Sequence, residues 1–222
     1  MEQNMEIGSM GKKTVLFDVG NVILYFSHEQ MCKQIADYCK TDPQEIKQLI
    51  FHNHWGKNYE SGCIDGHRIF EEFRRLFGES ISYPGLMHAM SDIFALNDSI
   101  VPVIKKLKQN GVQLITLSNT CQAHYDFAYT HFPIMHLFDQ NVLSYEVGFR
   151  KPSIEIYEYA LKKAGCLPSE CFYTDDLSEY VEAARSLGID AEVFTSTELF
   201  TTQLTQRGFL SKATLTGKTL HE

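Results

Sequence analysis

An alternation of short apolar runs with amphipathic helical segments most constrains the fold of this chain. The runs lie at residues 14–18, 112–117, 141–144, 171–174 and 191–194, and each resembles a buried strand in length and composition. Segments with helical periodicity lie between them, and one of these ends at Gly111. Strand, helix and strand joined by short connections predict an α/β fold with a doubly wound, Rossmann-like parallel sheet.

Residues 27–96 interrupt this alternation, because their apolar positions follow helical spacing and we predict no strand among them. One of these helices begins at Asp42, a capping residue followed by proline in the first turn. The insert is therefore predicted to be a small helical cap domain. The predicted boundaries are 13–26 and 97–210 for the core, 27–96 for the cap, and 1–12 and 211–222 for flexible termini.

Polar residues directly follow three of the predicted strands, namely Asp18, Ser118 with Asn119, and Asp175 with Asp176. Right-handed crossovers bring the carboxyl ends of parallel strands to one edge of the sheet, where ligands of such folds bind. Lys151 lies in a loop that could reach the same edge. We therefore expect these side chains to form one site.

The chemistry of these groups fits phosphoryl transfer, which needs mainly positioning and charge neutralisation. The Asp18 carboxylate is a potential nucleophile able to form an aspartyl-phosphate. Asp18 and Asp175 would give Mg²⁺ two hard oxygen ligands, and a carbonyl in the turn at Gly20 could add a third. The Ser118 hydroxyl could bind a phosphoryl oxygen, and Lys151 is a compact cation suited to holding a phosphate.

Four motifs in order carry a family resemblance: Phe17 to Val22, Leu117 to Thr120, Arg150 to Pro152, and Thr174 to Asp176 with Glu179. The chain resembles the haloacid dehalogenase-like hydrolase superfamily, whose small helical cap sits between the first and second motifs. Within it, the chain is similar to a sugar-phosphatase-like subgroup that includes an alpha-glucose-1-phosphatase and resembles the phosphatase domain of soluble epoxide hydrolase.

The resemblance implies a role for each matching residue. Asp18 would be the nucleophile and a Mg²⁺ ligand, Gly20 would offer a carbonyl to the metal, and Asp175 would be its second carboxylate. The remaining positions are implied to hold the phosphoryl group (Ser118 and Asn119), to neutralise charge (Lys151) and to support the metal site from outside (Asp176 and Glu179).

Gly20 departs from the usual pattern of this superfamily, whose phosphatases carry an aspartate there as the general acid. Acid catalysis typically contributes about 10²- to 10⁴-fold. Either turnover is slow, another group protonates the leaving oxygen, or the leaving group is a good one. A sugar-1-phosphate fits the last case, and the glucose-1-phosphatase-like relatives resemble this chain in carrying glycine there.

In the predicted cap, Trp55 and Tyr59 are the side chains that we expect to contact the part of the substrate beyond the phosphate. His52 and His54 are two residues apart and do not share a helix face, so we predict no metal site there. Phe70 and Phe73 follow helical spacing and are predicted to lie in the cap core.

Charge and cysteine pattern narrow the classes of partner. The net charge of −8 argues against nucleic acid and anionic membranes, which favour basic surfaces, and no apolar run reaches the roughly 20 residues of a membrane span. The start of the chain lacks the pattern of a secretory signal. Six cysteines without a CxxC pair favour a reducing cytoplasm and no zinc site. A monomer and a homodimer both stay open.

Three functional hypotheses follow. The first is a Mg²⁺-dependent phosphohydrolase that acts on a small phosphorylated metabolite, with a sugar phosphate as the favoured class. The second is a metal-free dehalogenase in which Asp18 attacks carbon, although Asp175 and Asp176 would then be uncompensated. The third is a degenerate member that binds a phosphorylated ligand or a partner without turnover, as the glycine at position 20 suggests.

Overall fold

The structure is a computed structural model that describes residues 14–211. The predicted flexible termini lie outside the described residues, except for residue 211. None of the helices in the described part has the length and apolar character needed to cross a membrane.

Seven strands are present in the described residues: β1 (Thr14–Phe17), β2 (Leu24–Phe26), β3 (Phe94–Leu96), β4 (Gln113–Ser118), β5 (Gln140–Leu143), β6 (Cys171–Asp175) and β7 (Asp190–Val193). The α-helices are α1 (His28–Cys39), α2 (Pro43–Lys47), α3 (Trp55–Glu60), α4 (Gly66–Phe77), α5 (Tyr83–Ser91), α6 (Val101–Gln109), α7 (Gln122–His131), α8 (Ser144–Val147), α9 (Ile154–Ala164), α10 (Ser178–Ser186) and α11 (Thr197–Gln206). A π-helical turn (Gln48–His52) and two 3₁₀ segments (Pro133–Leu137 and Pro168–Glu170) complete the regular structure.

Five strands form one parallel sheet in the order β5-β4-β1-β6-β7, with helices on both faces. The α/β, doubly wound prediction is confirmed, and each predicted core strand matches the observed one to within one residue at either end. Phe17, at the end of β1, is level with Thr116 on β4 and Thr174 on β6. The three central strands therefore end side by side, and the residues that follow them share one edge.

Apolar side chains bury both faces of this sheet. On one face the Phe17 ring packs edge-on against Phe138 and Phe200, at centroid distances of 5.6 and 5.4 Å. On the other face Leu16 belongs to a buried cluster that includes Tyr157 and Val181, from α9 and α10. This double coverage explains why the core strands read as continuous apolar runs, as is usual for parallel sheets.

Helices α1 to α5 cluster around an apolar interior of their own, in which Phe73 is completely buried. As the sequence predicts, Asp42 caps α2, because its Oδ1 atom accepts a hydrogen bond from the Gln44 amide at 2.7 Å. The placing of Phe70 and Phe73 with the cap interior also agrees with the structure. The division into core and cap domains at the stated boundaries stays a prediction.

The prediction of no strand between residues 27 and 96 is wrong at its end, because Phe94 starts β3. This strand pairs antiparallel with β2, and Phe26 lies opposite Phe94. Helix α5 stops at Ser91, so Phe94 does not continue its apolar face. Three-residue strands gain their hydrogen bonds from a partner far away in the sequence, and helical spacing alone does not reveal them.

Candidate active site

Asp18, Ser118, Lys151 and Asp175 come together at the carboxyl edge of the sheet, and all four are buried. The Lys151 Nζ atom donates hydrogen bonds to Asp18 Oδ1 at 2.7 Å and to Asp175 Oδ2 at 2.6 Å. The ammonium group therefore bridges the two carboxylates that follow β1 and end β6. This convergence is what the order of the strands predicts, while the catalytic roles of these residues stay predictions.

Hydrogen bonds position Asp18 and Asp175. The Asp18 amide donates to the carbonyl oxygen of Thr174 at 3.0 Å, which extends the pairing of β1 with β6 by one residue. Asp175 Oδ1 accepts from the Leu177 amide at 2.8 Å, and its Oδ2 also accepts from the Tyr173 hydroxyl. Asp175 is thus oriented by three donors, and the Leu177 contact uses only the backbone of that residue.

Asn119 holds Lys151 in place. Its Oδ1 atom accepts from the Lys151 amide at 2.8 Å, and its Nδ2 atom donates to the Lys151 carbonyl oxygen at 3.0 Å and to the Tyr180 hydroxyl at 3.3 Å. The side-chain amide of Asn119 is fully engaged by these contacts. The sequence did not indicate these contacts of the side chain, and the contact of Asn119 with a phosphoryl group stays a prediction.

Three carboxylates crowd this edge. Asp18, Asp175 and Asp176 each offer an oxygen atom, and these atoms lie within 4.8 Å of one another. Asn21 donates to Asp176 Oδ2 at 3.0 Å, which orients the third carboxylate toward the group. Lys151 supplies one positive charge against these three negative ones. Oxygen donors with excess negative charge suit a hard divalent cation such as Mg²⁺, so the residues fit the predicted metal.

Burial and charge together shift the ionisation of the site. Burial raises the pKa of Asp18 to about 7, against the attraction of Lys151 and with the help of Asp175. Burial also raises the pKa of Asp176. Burial by itself would lower the pKa of Lys151, but its attraction to Asp18 and Asp175 outweighs this effect and raises the pKa instead. The lysine is therefore a fixed cation, and further positive charge nearby would favour the ionised forms of Asp18 and Asp176.

Glu179 does not join the group. It lies exposed in the first turn of α10, outside the cavity beside the carboxylates. Tyr180, the next residue, lines that cavity instead, and its ring centroid lies 5.1 Å from Lys151 Nζ. Tyr180 was not predicted to lie near the site. It is on the apolar face of its helix, where helical spacing is typical of a core residue.

An aromatic ring occupies the space where a side chain at position 20 would lie. A Cβ atom added to Gly20 would come within 2.8 Å of Phe26 Cε1, which is closer than real contacts allow. The Phe26 ring is itself packed between the rings of His28 and Phe94, at centroid distances of 5.0 and 6.4 Å. The usual position of the general acid is therefore filled from β2.

We expect Gly20→Ala to lower the free energy of unfolding by about 1–3 kcal/mol, because the new methyl group would overlap the Phe26 ring. Phe26→Leu should relieve part of this cost, so the two substitutions should be non-additive. Urea denaturation of both single variants and the double variant measures the coupling. Strictly additive changes would contradict the assigned contact.

A cavity of about 350 Å³ opens beside the carboxylates. Ser118, Asn119 and Lys151 line it together with Asp18. The insert and the β2–β3 pair contribute Phe26, His28, Glu60 and Phe94 to its wall, and α7 contributes His124, Tyr125 and Ala128. The site is thus enclosed jointly by both parts of the chain.

Trp55 and Tyr59 lie outside the lining of this cavity, and their contact with substrate stays a prediction. The Trp55 ring packs against Phe73 at 5.9 Å. Tyr59 is buried, and its hydroxyl accepts from the Ala123 amide at 3.3 Å. Their helix α3 therefore turns these rings toward other helices, and the neighbouring Glu60 faces the cavity instead.

Glu60 links the cap to the loop that carries Lys151. Its carboxylate pairs with the Arg150 guanidinium at 2.6 Å, and its carbonyl oxygen accepts from the Ser144 hydroxyl. Both partners of the ion pair line the cavity. This contact closes the cavity at the side of the reacting groups and couples the position of the cap to Lys151.

Known proteins resemble this chain in sequence and in fold. A family model for haloacid dehalogenase-like hydrolases matches residues 12–188. A putative uncharacterised hydrolase of Schizosaccharomyces pombe is 32% identical over 106 residues, which cover 45% of this chain and 46% of that protein. This match therefore spans less than half the length of the relative.

Two other relatives match over most of their length. D-ribitol-5-phosphate phosphatase of Bacteroides thetaiotaomicron is 21% identical over 184 residues, covering 80% of this chain and 89% of that protein. A sesquiterpene phosphatase of Aspergillus oryzae is 24% identical over 190 residues, covering 80% and 87%.

A solved structure has the same fold. It is a HAD family enzyme of Bacteroides thetaiotaomicron in complex with magnesium and inorganic phosphate, with a TM-score of 0.69 and 23% identity. The match covers 86% of this chain and the whole of that one.

Proposed function

We propose a phosphohydrolase function from one premise: the chain belongs to the haloacid dehalogenase-like hydrolase family. The proposed enzyme is a Mg²⁺-dependent phosphatase that forms a phospho-aspartate on Asp18 and acts on a small phosphorylated metabolite. The observation that carries this proposal is the single Lys151 ammonium that bridges Asp18 and Asp175 beside a cavity of about 350 Å³. A nucleophile, a fixed cation and a place for the leaving group then share one site.

The reaction proceeds in two displacements. An Asp18 carboxylate oxygen attacks phosphorus, and the bond to the leaving oxygen breaks with its electron pair going to that oxygen. Water then attacks the same phosphorus, which releases inorganic phosphate and regenerates the carboxylate. The Lys151 ammonium offsets the repulsion between the negative charge of the nucleophile and that of the phosphoryl group. The buried Ser118 hydroxyl lines the same cavity and would donate a hydrogen bond to a phosphoryl oxygen.

Asp18, Asp175 and the Gly20 carbonyl would hold Mg²⁺ in this proposal, with Asp176 close enough to take part. When bound, the ion would neutralise negative charge on the phosphoryl group. The related enzyme of Bacteroides thetaiotaomicron, solved with magnesium and phosphate, supports this choice of cation.

The leaving group is the finer part of the proposal. The sugar phosphate favoured by sequence resemblance has support from the relative named D-ribitol-5-phosphate phosphatase. The relative named sesquiterpene phosphatase supports an apolar leaving group instead. The names of relatives therefore leave two classes of leaving group, one polar and one apolar. The choice between these classes depends on the side chains that line the cavity.

The alternatives receive less support. A metal-free dehalogenase would bury Asp18, Asp175 and Asp176 with only one cation among them, which is costly. The absence of a general acid at Gly20 favours a binding protein without turnover. The hydrogen bond from Lys151, however, holds the Asp18 carboxylate in the position of a nucleophile. A cytoplasmic location stays a prediction, supported by six cysteines that are all unbridged.

Mg²⁺ is expected to raise the unfolding temperature of the metal-free protein, because the ion offsets repulsion among three carboxylates. A ligand at a hundredfold its Kd stabilises by about 2.7 kcal/mol, which corresponds to several degrees in a domain of this size. Thermal unfolding with MgCl₂, and with NaCl at matched ionic strength, measures the effect. An equal shift with both salts would contradict the metal site.

The proposed function is tested by release of inorganic phosphate from a panel that contains p-nitrophenyl phosphate, sugar phosphates and other small phosphate monoesters. We expect turnover with Mg²⁺ and its loss with EDTA. Tight binding of a phosphorylated compound without any turnover would favour the binding protein instead. Turnover that is indifferent to metal would favour the dehalogenase type of site.

A further inference from the structure

Part of the wall of the cavity is rich in apolar and aromatic side chains. Val19, Phe26, Phe94, Ala128 and Met135 all line it, and they come from separate parts of the chain. Val19, Ala128 and Met135 are buried even without a ligand. Water in such a space has few partners, so an apolar ligand group gains free energy by replacing it.

The aromatic rings of this wall pack against one another. The centroid of the Phe94 ring lies 6.4 Å from that of Phe26 and 5.6 Å from that of His124. The His124 Nε2 atom lies 3.1 Å from the Met90 carbonyl oxygen, and burial lowers the pKa of this histidine to about 4. His124 is therefore neutral near pH 7, and this group of rings presents no charge to a ligand.

Several polar side chains that line the cavity are already paired with protein groups. Glu60 binds Arg150, Asn21 binds Asp176, and the Asn119 amide holds the Lys151 backbone. A polyhydroxyl leaving group would have to compete for these partners or give up hydrogen bonds to water, and each unpaired buried hydroxyl is costly. The lining thus disfavours a polyol.

The missing acid at Gly20 points the same way. With Phe26 in that space, no carboxyl at position 20 can protonate the leaving oxygen. A phenol ionises with a pKa of about 10, as in tyrosine, and a phenolate can depart without prior protonation. A phenol therefore suits both the lining and the chemistry of the site, whereas an arylmethyl alcohol suits the lining alone.

We propose that the cavity selects phosphate monoesters whose leaving group is a compact aromatic ring, either a phenol or an arylmethyl alcohol. This inference rests on the proposed phosphatase function and deepens it. Asp18 attacks phosphorus, the bond from phosphorus to the ring-bearing oxygen breaks, and that oxygen keeps the electron pair and takes a proton from water. The ring lies against Phe26 and Phe94 during this step.

The test compares benzyl phosphate with ribitol 5-phosphate in the presence of Mg²⁺. Both are esters of primary alcohols, so both release an alkoxide and the comparison isolates the contact with the wall. We expect kcat/KM to be at least about tenfold higher for benzyl phosphate, mainly through KM, because burial of one aromatic ring supplies that much binding. Phenyl phosphate should also raise kcat, because its leaving group is less basic.

Phe94→Asn should reduce the ratio of the two kcat/KM values by about tenfold, whereas Phe94→Leu should keep most of it. A ratio measured within one preparation does not depend on the fraction of protein that is folded. Tyr159→Asn is a matched control, because this aromatic residue lies exposed on α9, outside the cavity. Its ratio should equal that of the unmodified protein.

The outcomes separate the two proposals. A kcat/KM for ribitol 5-phosphate that equals or exceeds that for benzyl phosphate overturns the aromatic assignment and leaves the phosphatase intact. A ratio that Phe94→Asn does not change also overturns it. If neither ester, nor p-nitrophenyl phosphate, is hydrolysed with Mg²⁺, the phosphatase function itself fails.

Discussion

Asp18→Asn should abolish the Mg²⁺-dependent release of phosphate, with a loss on the order of 10⁴-fold or more, as expected when a catalytic nucleophile is removed. The amide is a poor nucleophile and cannot form a phospho-aspartate. Asp175 and Asp176 remain in this variant, and the asparagine keeps a carbonyl oxygen that can bind a cation. A retained Mg²⁺-induced rise in the unfolding temperature would therefore show that loss of turnover comes from the missing nucleophile rather than from loss of the metal. Release of phosphate from p-nitrophenyl phosphate gives the measurement.

The stability of this variant distinguishes chemistry from misfolding. The folded-state pKa of Asp18 is raised to about 7, so the folded protein holds this proton more tightly than the unfolded chain does. Above pH 7 the ionised carboxylate therefore costs free energy of folding, a cost that asparagine does not carry. We expect an unchanged or higher unfolding temperature in metal-free buffer at pH 8. An active Asp18→Asn variant would refute the mechanism.

Lys151→Met should reduce kcat by about 10²- to 10³-fold, the loss typical when one preorganised electrostatic donor is removed. It should also destabilise the metal-free protein by about 3–5 kcal/mol, because the buried carboxylates of Asp18 and Asp175 lose the ammonium group that bridges them. Steady-state kinetics and urea denaturation at pH 8 measure the two effects. Methionine keeps an unbranched side chain of similar bulk, so the change removes the charge of Lys151 together with its two hydrogen bonds.

Lys105→Met provides the matched control for that substitution, since Lys105 is an exposed lysine on α6. It should leave both turnover and unfolding nearly unchanged, as is usual for surface positions. Full activity in Lys151→Met would show that the ammonium bridge has no part in catalysis. Loss of stability without loss of turnover would restrict Lys151 to a structural role.

The reacting groups could be predicted from the sequence because their placement depends on local patterns. Asp18 and Asp175 lie where buried apolar runs end, and parallel topology brings such ends to one edge. Lys151 needed a third motif, because a loop position alone does not specify which edge it reaches. Asp176 was predicted to support the metal site from outside; its carboxylate lies within 4.8 Å of those of Asp18 and Asp175, and its role stays a prediction.

The wall around the substrate could not be predicted in the same way. Phe26 and Phe94 face the cavity because two three-residue strands pair across the inserted helices. Trp55 and Tyr59, which were predicted to contact the substrate, do not line this cavity, because the direction in which a short helix turns its faces depends on its neighbours. Asn119 belongs to a recognisable motif, yet its contact with the Lys151 backbone depends on the path of a distant loop.

The sequence by itself determined the sheet and the carboxylates that end its strands, because hydrophobic periodicity and strand order are encoded locally. Only the tertiary structure decided which side chains line the cavity beside these carboxylates. That lining is assembled from β2, β3 and α7 through contacts between residues far apart in the chain. Local spacing carries no information about such contacts. The type of reaction could therefore be predicted from the sequence, whereas the class of substrate could not.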